Sequence, residues 1–267
     1  MEKEQVGLSE NKMGVVPVNK LLVSMAWPMI LSMLVQAMYN VVDSIFVSRL
    51  SENALTAVSL AFPIQIILIA MGTGAGVGMN AILSRALGEK DQKTVNRVAE
   101  TGVFLALASF VVFLLVGIFF SRPFFLSQTD DMEIVEYGTQ YISICCIFSF
   151  GIYFELVFER MLQSTGKTIF SMFSQLIGAL TNIVLDPILI FGLLGAPKMG
   201  VAGAAAATVA GQILAAIVAF VLNHKFNRDV RISLRGIFRP KLDFIVNIYK
   251  VGLPSIVMQS IGSVTNY

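Results

Sequence analysis

A row of polar side chains runs through a long apolar stretch near the start of the chain. Residues 25–50 read MAWPMILSMLVQAMYNVVDSIFVSRL, and within it Gln36, the adjacent pair Tyr39/Asn40, and Asp43 follow one another at about one helical turn. This spacing places them on one face of a helix. Because an unpaired carboxylate facing lipid is costly, that face should look into a protein interior or a watered cavity. We therefore expect Asp43 to belong to a path for an ion or a substrate.

A second stretch repeats this arrangement. In SMFSQLIGALTNIVLDPILIFG, residues 171–192, the polar residues Gln175, Asn182 and Asp186 fall on one helical face, and Asn182 and Asp186 are one turn apart. An Asp directly before Pro187 can also serve only to kink or cap a helix. Its position deep within an apolar stretch favours a functional role.

The elements that must position these residues are transmembrane helices. The 267-residue chain is 56% hydrophobic and 13% charged, and its mean hydropathy is +0.77. Soluble domains have about 45–50% apolar and about 25% charged residues. Apolar runs of roughly 20 residues predict an all-α polytopic membrane protein with six complete spans and the start of a seventh near Ile248. The six predicted spans are Leu21–Val47, Leu55–Leu83, Val98–Phe120, Val135–Phe158, Ile169–Leu193 and Val201–Leu222.

The basic residues between the spans predict the orientation. Fifteen Lys and Arg residues lie in the N-terminal tail and in the second, fourth and sixth loops, whereas the alternate loops hold three. By the positive-inside rule the N-terminus and the basic sixth loop are expected to be cytoplasmic. The predicted segments are a tail at 1–17, a six-helix lobe at 18–222, a basic cytoplasmic linker at 223–247 and the beginning of helix 7 at 248–267.

The two rows of polar residues are expected to lie at the same depth in the membrane. The first and fifth spans run in the same direction, and counting residues from their ends puts Asp43 and Asp186 at nearly the same level, with Thr208 of the sixth span at a similar height. Together with Asn40 and Asn182 they can line one oxygen-rich pocket. Two neighbouring carboxylates can share a proton, which suits a proton carrier, whereas oxygens of Asp43, Asn182 and Asp186 also suit Na⁺, a hard cation. The sequence does not distinguish between H⁺ and Na⁺ as the bound ion.

Several other motifs have a structural interpretation. Glycines four residues apart at the end of the second span, Gly72/Gly76 and Gly74/Gly78, predict close helix packing. Cys145 and Cys146 are expected to be buried thiols. At the end of the fourth span, Glu159 and Arg160 are interpreted as an ion pair at the cytoplasmic membrane edge, and Glu155, one turn deeper, is a candidate lining residue.

A weak internal repeat suggests a second copy of the first helix. Placing Pro254 on Pro28 also aligns Ile256 with Ile30 and Asn266 with Asn40. Six-span repeats begin on the same membrane side, so the halves would be parallel copies. The chain is therefore expected to hold one whole lobe and the truncated start of another, as a fragment or a shortened frame.

These stretches resemble the multidrug and toxic compound extrusion (MATE) family. The resemblance covers nearly the whole chain from about Val18, and it is carried by the first-helix sequence, by RALGEKD after the second span, by QSTGKTIFSMFSQLIGALTNIVLDPILIFGLLG and by GVAGAAAATVAGQ. VFERMLQSTGKT is similar to the bacterial multidrug-exporter branch. The resemblance implies two six-helix lobes around a central cleft, and it assigns Asp43, Asn182, Asp186 and Thr208 to a cation or proton site. By this resemblance, most of the expected second lobe would lie outside this sequence.

The resulting hypothesis is an antiporter of the cell membrane that exports amphipathic organic cations in exchange for Na⁺ or H⁺, with no cofactor besides that ion. Gln36, Tyr39, Gln175 and Glu155 are the candidates for the substrate cavity, and Pro28 is the candidate hinge. The alternatives are a flippase for lipid-linked precursors, which would need a basic cavity, and a non-transporting half-transporter that needs its other lobe or a second copy. An enzyme is not expected, because no catalytic motif of a known kind is found. No nucleic-acid partner is expected.

Overall fold

The computed structural model is an all-α protein. It describes residue 13 and residues 16–264, with side chains to residue 261. Most of the predicted tail at 1–17 and Asn266 of the internal repeat lie outside the described residues. The helices are α1 (Val18–Ser48), α2 (Glu52–Gly88), α3 (Gln92–Phe119), α4 (Ser121–Gln128), α5 (Met132–Ile147), α6 (Phe150–Ser164), α7 (Thr168–Phe191), α8 (Val201–Phe226), α9 (Leu234–Ile237) and α10 (Leu242–Val264), and a 3₁₀ turn (Leu193–Gly195) follows α7.

Six of these helices are long and apolar enough to cross a membrane, and the count is seven when α5 and α6 are taken as one bent span. This agrees with the predicted six complete spans and the beginning of a seventh. The outward faces are apolar, as lipid contact requires: Trp27, Leu34 and Val41 are exposed on α1. Cys145 and Cys146 are buried free thiols, as predicted.

The fourth span differs from the sequence expectation. A single helix was predicted over Val135–Phe158, but α5 and α6 meet at a 46° bend, and α6 continues to Ser164. Just after the bend Gly151 lies against α8, where a Cβ would come within 2.8 Å of Ile213 Cγ1. A bend that arises from helix packing does not change the periodicity of the hydrophobic residues, so the sequence did not reveal it.

The linker is also shorter and more structured than predicted. Helix α8 runs to Phe226, and α10 begins at Leu242, ahead of the predicted Ile248. The short helices α4 and α9 form in segments that were predicted to be loops. The linker between the long helices is thus residues 227–241, within the predicted 223–247.

The glycines of α2 allow two helices to approach closely, which confirms the packing prediction. A Cβ on Gly78 would collide with the backbone of Ile248, and one on Gly74 would collide with Ile256, both in α10. On another face of α2, a Cβ on Gly72 would come within 2.7 Å of Leu156 in α6. These absent side chains let α6 and α10 pack onto α2.

Candidate functional site

Two acidic side chains meet where α1 packs on α7. The carboxyl groups of Asp43 and Asp186 lie within hydrogen-bonding range of each other, and Asp186 is fully buried. The rings of Phe46 and Phe191 contact edge-to-face at 6.3 Å and hold the same ends of the two helices together. The Oδ1 atom of Asp43 is buried without a hydrogen-bond donor among the described residues. This contact between two acids requires a proton or another cation between them.

Asn182 connects this acid pair to α8. Its side-chain amide satisfies its neighbours when Nδ2 donates to Asp186 Oδ2 at 3.2 Å and Oδ1 accepts from the backbone N and the Oγ1 of Thr208, each at 3.2 Å. Asn182 is buried, so these bonds are not exchanged with bulk water. The amide therefore fixes one carboxyl oxygen of Asp186 relative to the hydroxyl of Thr208.

Two glycines explain why α7 and α8 come close enough for this bond. A Cβ on Gly211 would come within 2.7 Å of the Gly178 carbonyl oxygen and 3.4 Å of Asn182 Cβ. A Cβ on Gly178 would come within 2.9 Å of Ala215 Cβ. Larger residues at either position would separate the helices at the level of the asparagine.

A cavity of about 360 Å³ begins at Asn182 and extends along α7. Most of its lining residues are polar, contributed mainly by α1, α6, α7 and α8, and Met29 and Met33 are among the apolar residues that supply much of its surface. The charged residues of its wall are Glu155, Glu159 and Arg160. An interior of this composition is suited to a hydrated or cationic guest rather than to lipid.

Glu159 is held in the wall by α7. It is buried and accepts from Gln175 Nε2 at 2.6 Å and from Ser174 Oγ at 3.2 Å. Arg160 donates instead to Gln163 Oε1 at 2.8 Å. The predicted ion pair of Glu159 and Arg160 is therefore not formed among the described residues, because each side chain has its own partner in the cavity wall.

The structure brings most of the predicted site residues together. Gln36, Tyr39, Glu155 and Gln175, the substrate-cavity candidates, all line the cavity. Asn182 and Thr208 lie in the same wall, and Asp43 and Asp186 lie directly behind Asn182. The exception is Asn40, which is exposed on α1 and is not among the lining residues. Pro28, the candidate hinge, lies inside the continuous helix α1.

Sequence reasoning did not assign Glu159, Gln163 and Ser171 to the cavity wall. Glu159 and Gln163 are one turn apart on α6, and Ser171 lies one turn before the predicted Gln175 on the face of α7 that holds Asn182. Gln163 Nε2 donates to Ser171 Oγ at 2.9 Å and ties the two rows together. The continuing one-turn spacing was the signal that could have found these residues.

Comparisons with known proteins agree with this architecture. The sequence profile of the MatE family matches residues 28–188, more than half of the chain. Multidrug export protein MepA of Staphylococcus aureus strain MRSA252 is 27% identical over 243 residues, which are 91% of this chain and 53% of MepA. MepA of Staphylococcus saprophyticus is 27% identical over 239 residues, 89% of this chain and 52% of that protein. The chain spans about half the length of the curated relatives it matches.

Solved structures give the same result. An outward-facing multidrug resistance MATE family transporter of the MOP superfamily superposes with a TM-score of 0.83 at 33% identity, covering 90% of this chain and 52% of that one. An inward-facing structure of such a transporter gives a TM-score of 0.79 at 32% identity, with 91% and 55% covered. The family expected from the sequence is confirmed, and its members are transporters rather than enzymes. The chain belongs to the MatE family and is an all-α, multi-pass membrane protein of the multidrug and toxic compound extrusion transporters.

Proposed function

We propose that this chain forms one lobe of a secondary transporter that exports amphipathic organic cations in exchange for H⁺ or Na⁺. The observation that carries this proposal is the position of Asn182. The same buried amide lines the cavity and bonds the carboxyl group of Asp186, which in turn contacts Asp43. A change of charge at the acid pair is thus one hydrogen bond away from the cavity wall.

The cavity wall supports a cationic substrate. It carries two acids, Glu155 and Glu159, against one cation, Arg160. The guanidinium of Arg160 donates a hydrogen bond to Gln163, whereas the carboxylate of Glu155 is available to a bound substrate. Tyr39, Met29 and Met33 add an aromatic ring and thioethers that attract cations and fill irregular apolar volume. A drug with one positive centre and an apolar body fits this combination.

The acid pair supports the coupling ion. A proton between Asp43 and Asp186 would satisfy their contact, and the carboxylate oxygens of the pair would also suit Na⁺. Asn182 would add its amide oxygen to such a site only by turning over, because its Nδ2 is the atom that faces Asp186. Occupancy by either ion neutralises charge beside the cavity and weakens the attraction for a cationic substrate. We place the accompanying bend of α1 at Pro28, where the helix lacks one backbone hydrogen bond.

Transport needs more than this lobe. The relatives that the chain matches are about twice its length, and alternating access in such transporters moves one repeat against another. The second lobe would be a C-terminal lobe or a second copy of this chain. We place the N-terminus and the linker in the cytoplasm and the protein in the plasma membrane, from the distribution of Lys and Arg.

A flippase for lipid-linked precursors is disfavoured by the cavity itself. Such a protein must hold an anionic pyrophosphate, and a basic wall would be required. Here the charged residues of the wall are two carboxylates and one guanidinium. The acid pair behind Asn182 adds further negative charge.

Equilibrium binding of ethidium, a fluorescent organic cation, to the purified protein tests the proposal without requiring the second lobe. Parent protein should bind ethidium, and lowering the pH or adding Na⁺ should weaken binding. Asp43→Asn and Asp186→Asn should remove that ion dependence, while Asp130→Asn, an exposed acid between α4 and α5, should keep it. Unchanged ion dependence in both acid-pair variants, or absence of ethidium binding by the folded parent, would refute the proposal.

A further inference from the structure

A second, strongly basic pocket lies between the start of α3 and the linker that leads to α10. It is an open pocket of about 700 Å³, and its lining residues are different from those around the acid pair. Its basic residues are Lys93, Arg97, Arg235, Arg239 and Lys241. We propose that this pocket binds the phosphate headgroup of an anionic phospholipid and so fixes the linker to the membrane surface.

One buried acidic residue, Glu100, holds the linker against α3 and so forms the pocket. Glu100 of α3 is buried, accepts from the backbone N of Ser233 at 3.2 Å, and accepts from Arg97 at 3.3 Å. Gly236 lies directly against its carboxylate, where a Cβ would collide. Glu100 thus draws the linker onto α3 and is already satisfied by these contacts.

Further bonds along the linker extend this attachment. Asn96 Oδ1 accepts from the backbone N of Arg231 at 3.0 Å, and Gln92 Nε2 donates to the backbone oxygen of Asp229 at 2.9 Å. Lys167 forms a salt bridge with Asp229 at 2.8 Å. The linker is therefore a fixed wall of the pocket, and its Arg235, Arg239 and Lys241 line the pocket together with Lys93 and Arg97 of α3.

The balance of charge in the pocket favours an anion. Glu100 is the acid among the lining residues and is engaged with the linker backbone and Arg97. Within the part of the chain that the structure describes, the salt bridges include Arg97 but not the other four basic residues of the wall. Concentrated positive charge of this kind attracts phosphate, and basic pockets between helices at the cytoplasmic face bind anionic lipid headgroups.

Apolar side chains beside the pocket identify a lipid, rather than a soluble phosphate, as the source of the anion. Leu234, Phe238 and Leu242 are 78%, 68% and 73% exposed, while Gly236 and Ile237 between them are buried. A short segment with apolar side chains outward and cations nearby lies in the interface of a bilayer. The pocket also lies on the side of the spans that the basic loops predict to be cytoplasmic, where the leaflet is anionic.

The test is the affinity of delipidated, purified protein for fluorescent phosphatidylglycerol in detergent, with phosphatidylcholine and inorganic phosphate as competitors. The variant Arg235→Gln/Arg239→Gln/Lys241→Gln should bind on the order of a hundredfold more weakly, because a roughly fivefold effect for each basic residue at a membrane surface multiplies over three residues. The matched control, Lys225→Gln/Arg228→Gln/Arg231→Gln, removes the same charge from residues that do not line the pocket. It should change binding by less than about threefold.

Four results would overturn the assignment. These are equal losses in the two triple variants, no loss in either, equal affinity for phosphatidylcholine, and full displacement of the lipid by millimolar inorganic phosphate. Because the substituted side chains are exposed, the unfolding temperature should match that of the parent. Should the triple variant nevertheless misfold, Lys93→Gln on α3 carries the test, with an expected loss of about fivefold. Ethidium binding in the cavity should be unaffected by any of these substitutions, which separates this inference from the proposed transport function.

Discussion

The carboxyl groups of Asp43 on α1 and Asp186 on α7 lie within hydrogen-bonding range of each other. The two residues are far apart in sequence, and each lies a few residues before the end of its helix. The rings of Phe46 and Phe191 lock those ends together. A buried pair of acids is costly unless a cation or proton occupies it. The stability of the lobe and the binding of an ion therefore both depend on this contact.

The acid pair predicts an effect of substitution on stability. Asp186→Asn replaces one of two mutually repelling carboxylates with an amide that can donate to Asp43. At alkaline pH, where the pair has lost the proton that it holds, the variant should unfold at a higher temperature than the parent, by the equivalent of about 1–3 kcal/mol. The measurement is thermal unfolding in detergent across pH, with Asp130→Asn as the control.

The parent should approach the stability of Asp186→Asn as the pH falls, because protonation relieves the same repulsion. A variant that is less stable than the parent at every pH would show that the carboxylates are not in repulsive contact.

Glu159 predicts the strength of substrate binding. Glu159→Gln keeps the size of the side chain and an acceptor for Gln175 or Ser174 but removes the negative charge. Binding of ethidium should weaken about tenfold, the equivalent of about 1.4 kcal/mol, because the cavity wall loses one of its two negative charges. Equilibrium fluorescence titration measures this loss.

Glu136→Gln is the matched control for this substitution, because Glu136 is exposed on α5 and does not line the cavity. It should leave ethidium affinity unchanged. Equal affinity of the Glu159 variant and the parent would mean that Glu159 serves only to pack α6 on α7.

The close approach of α7 and α8 predicts an overpacking effect. Gly211→Leu places a side chain where even a Cβ comes within 2.7 Å of the Gly178 carbonyl oxygen. The variant should lose about 1–3 kcal/mol of unfolding free energy and should also lose ethidium affinity, because Asn182 and Thr208 are separated. Thermal unfolding and fluorescence titration check both effects.

Gly88→Leu provides the control, since a Cβ at Gly88 has no neighbour within 4 Å. It should keep both stability and affinity. If Gly211→Leu behaved like Gly88→Leu, the helices would have to approach each other without the help of this glycine.

The pairing of Asp43 with Asp186 could be predicted from the sequence for a definite physical reason. An acid in a span is costly unless it has a partner, so helical spacing and depth restrict where its partner can be. The same reasoning located the cavity candidates Gln36, Tyr39 and Gln175. It failed for Asn40, which lies one turn after Gln36 but is exposed and does not line the cavity.

Glu159 was misjudged because the end of a helix is set by tertiary packing. The apolar run ends near Phe158, which suggested the membrane edge, but α6 continues to Ser164, and Gln175 and Ser174 satisfy the Glu159 carboxylate within the bundle. The bend between α5 and α6 is likewise a product of contact with α8. Neither the end of α6 nor the bend between α5 and α6 produces a periodic pattern of residues that can be recognised in a single sequence.

Asn182 predicts how the cavity and the acid pair are coupled. If its amide transmits occupancy of the pair to the cavity, the ratio of ethidium affinities with and without the competing ion should differ from one in the parent. In Asn182→Ala that ratio should fall towards one, because the donor to Asp186 and the acceptor for Thr208 are both removed. By thermodynamic reciprocity, ethidium should then also cease to affect the affinity for the ion.

The matched control for this coupling is Thr181→Ala on the same helix, whose hydroxyl donates to the Ile177 carbonyl at 2.7 Å within α7. It should keep the parent ratio. The decisive measurement is the ratio rather than either affinity, because a general loosening of α7 would weaken binding in both conditions alike. An Asn182→Ala protein that binds more weakly yet keeps the full ratio would assign the coupling to another route, of which direct attraction between the acid pair and the bound cation is the simplest.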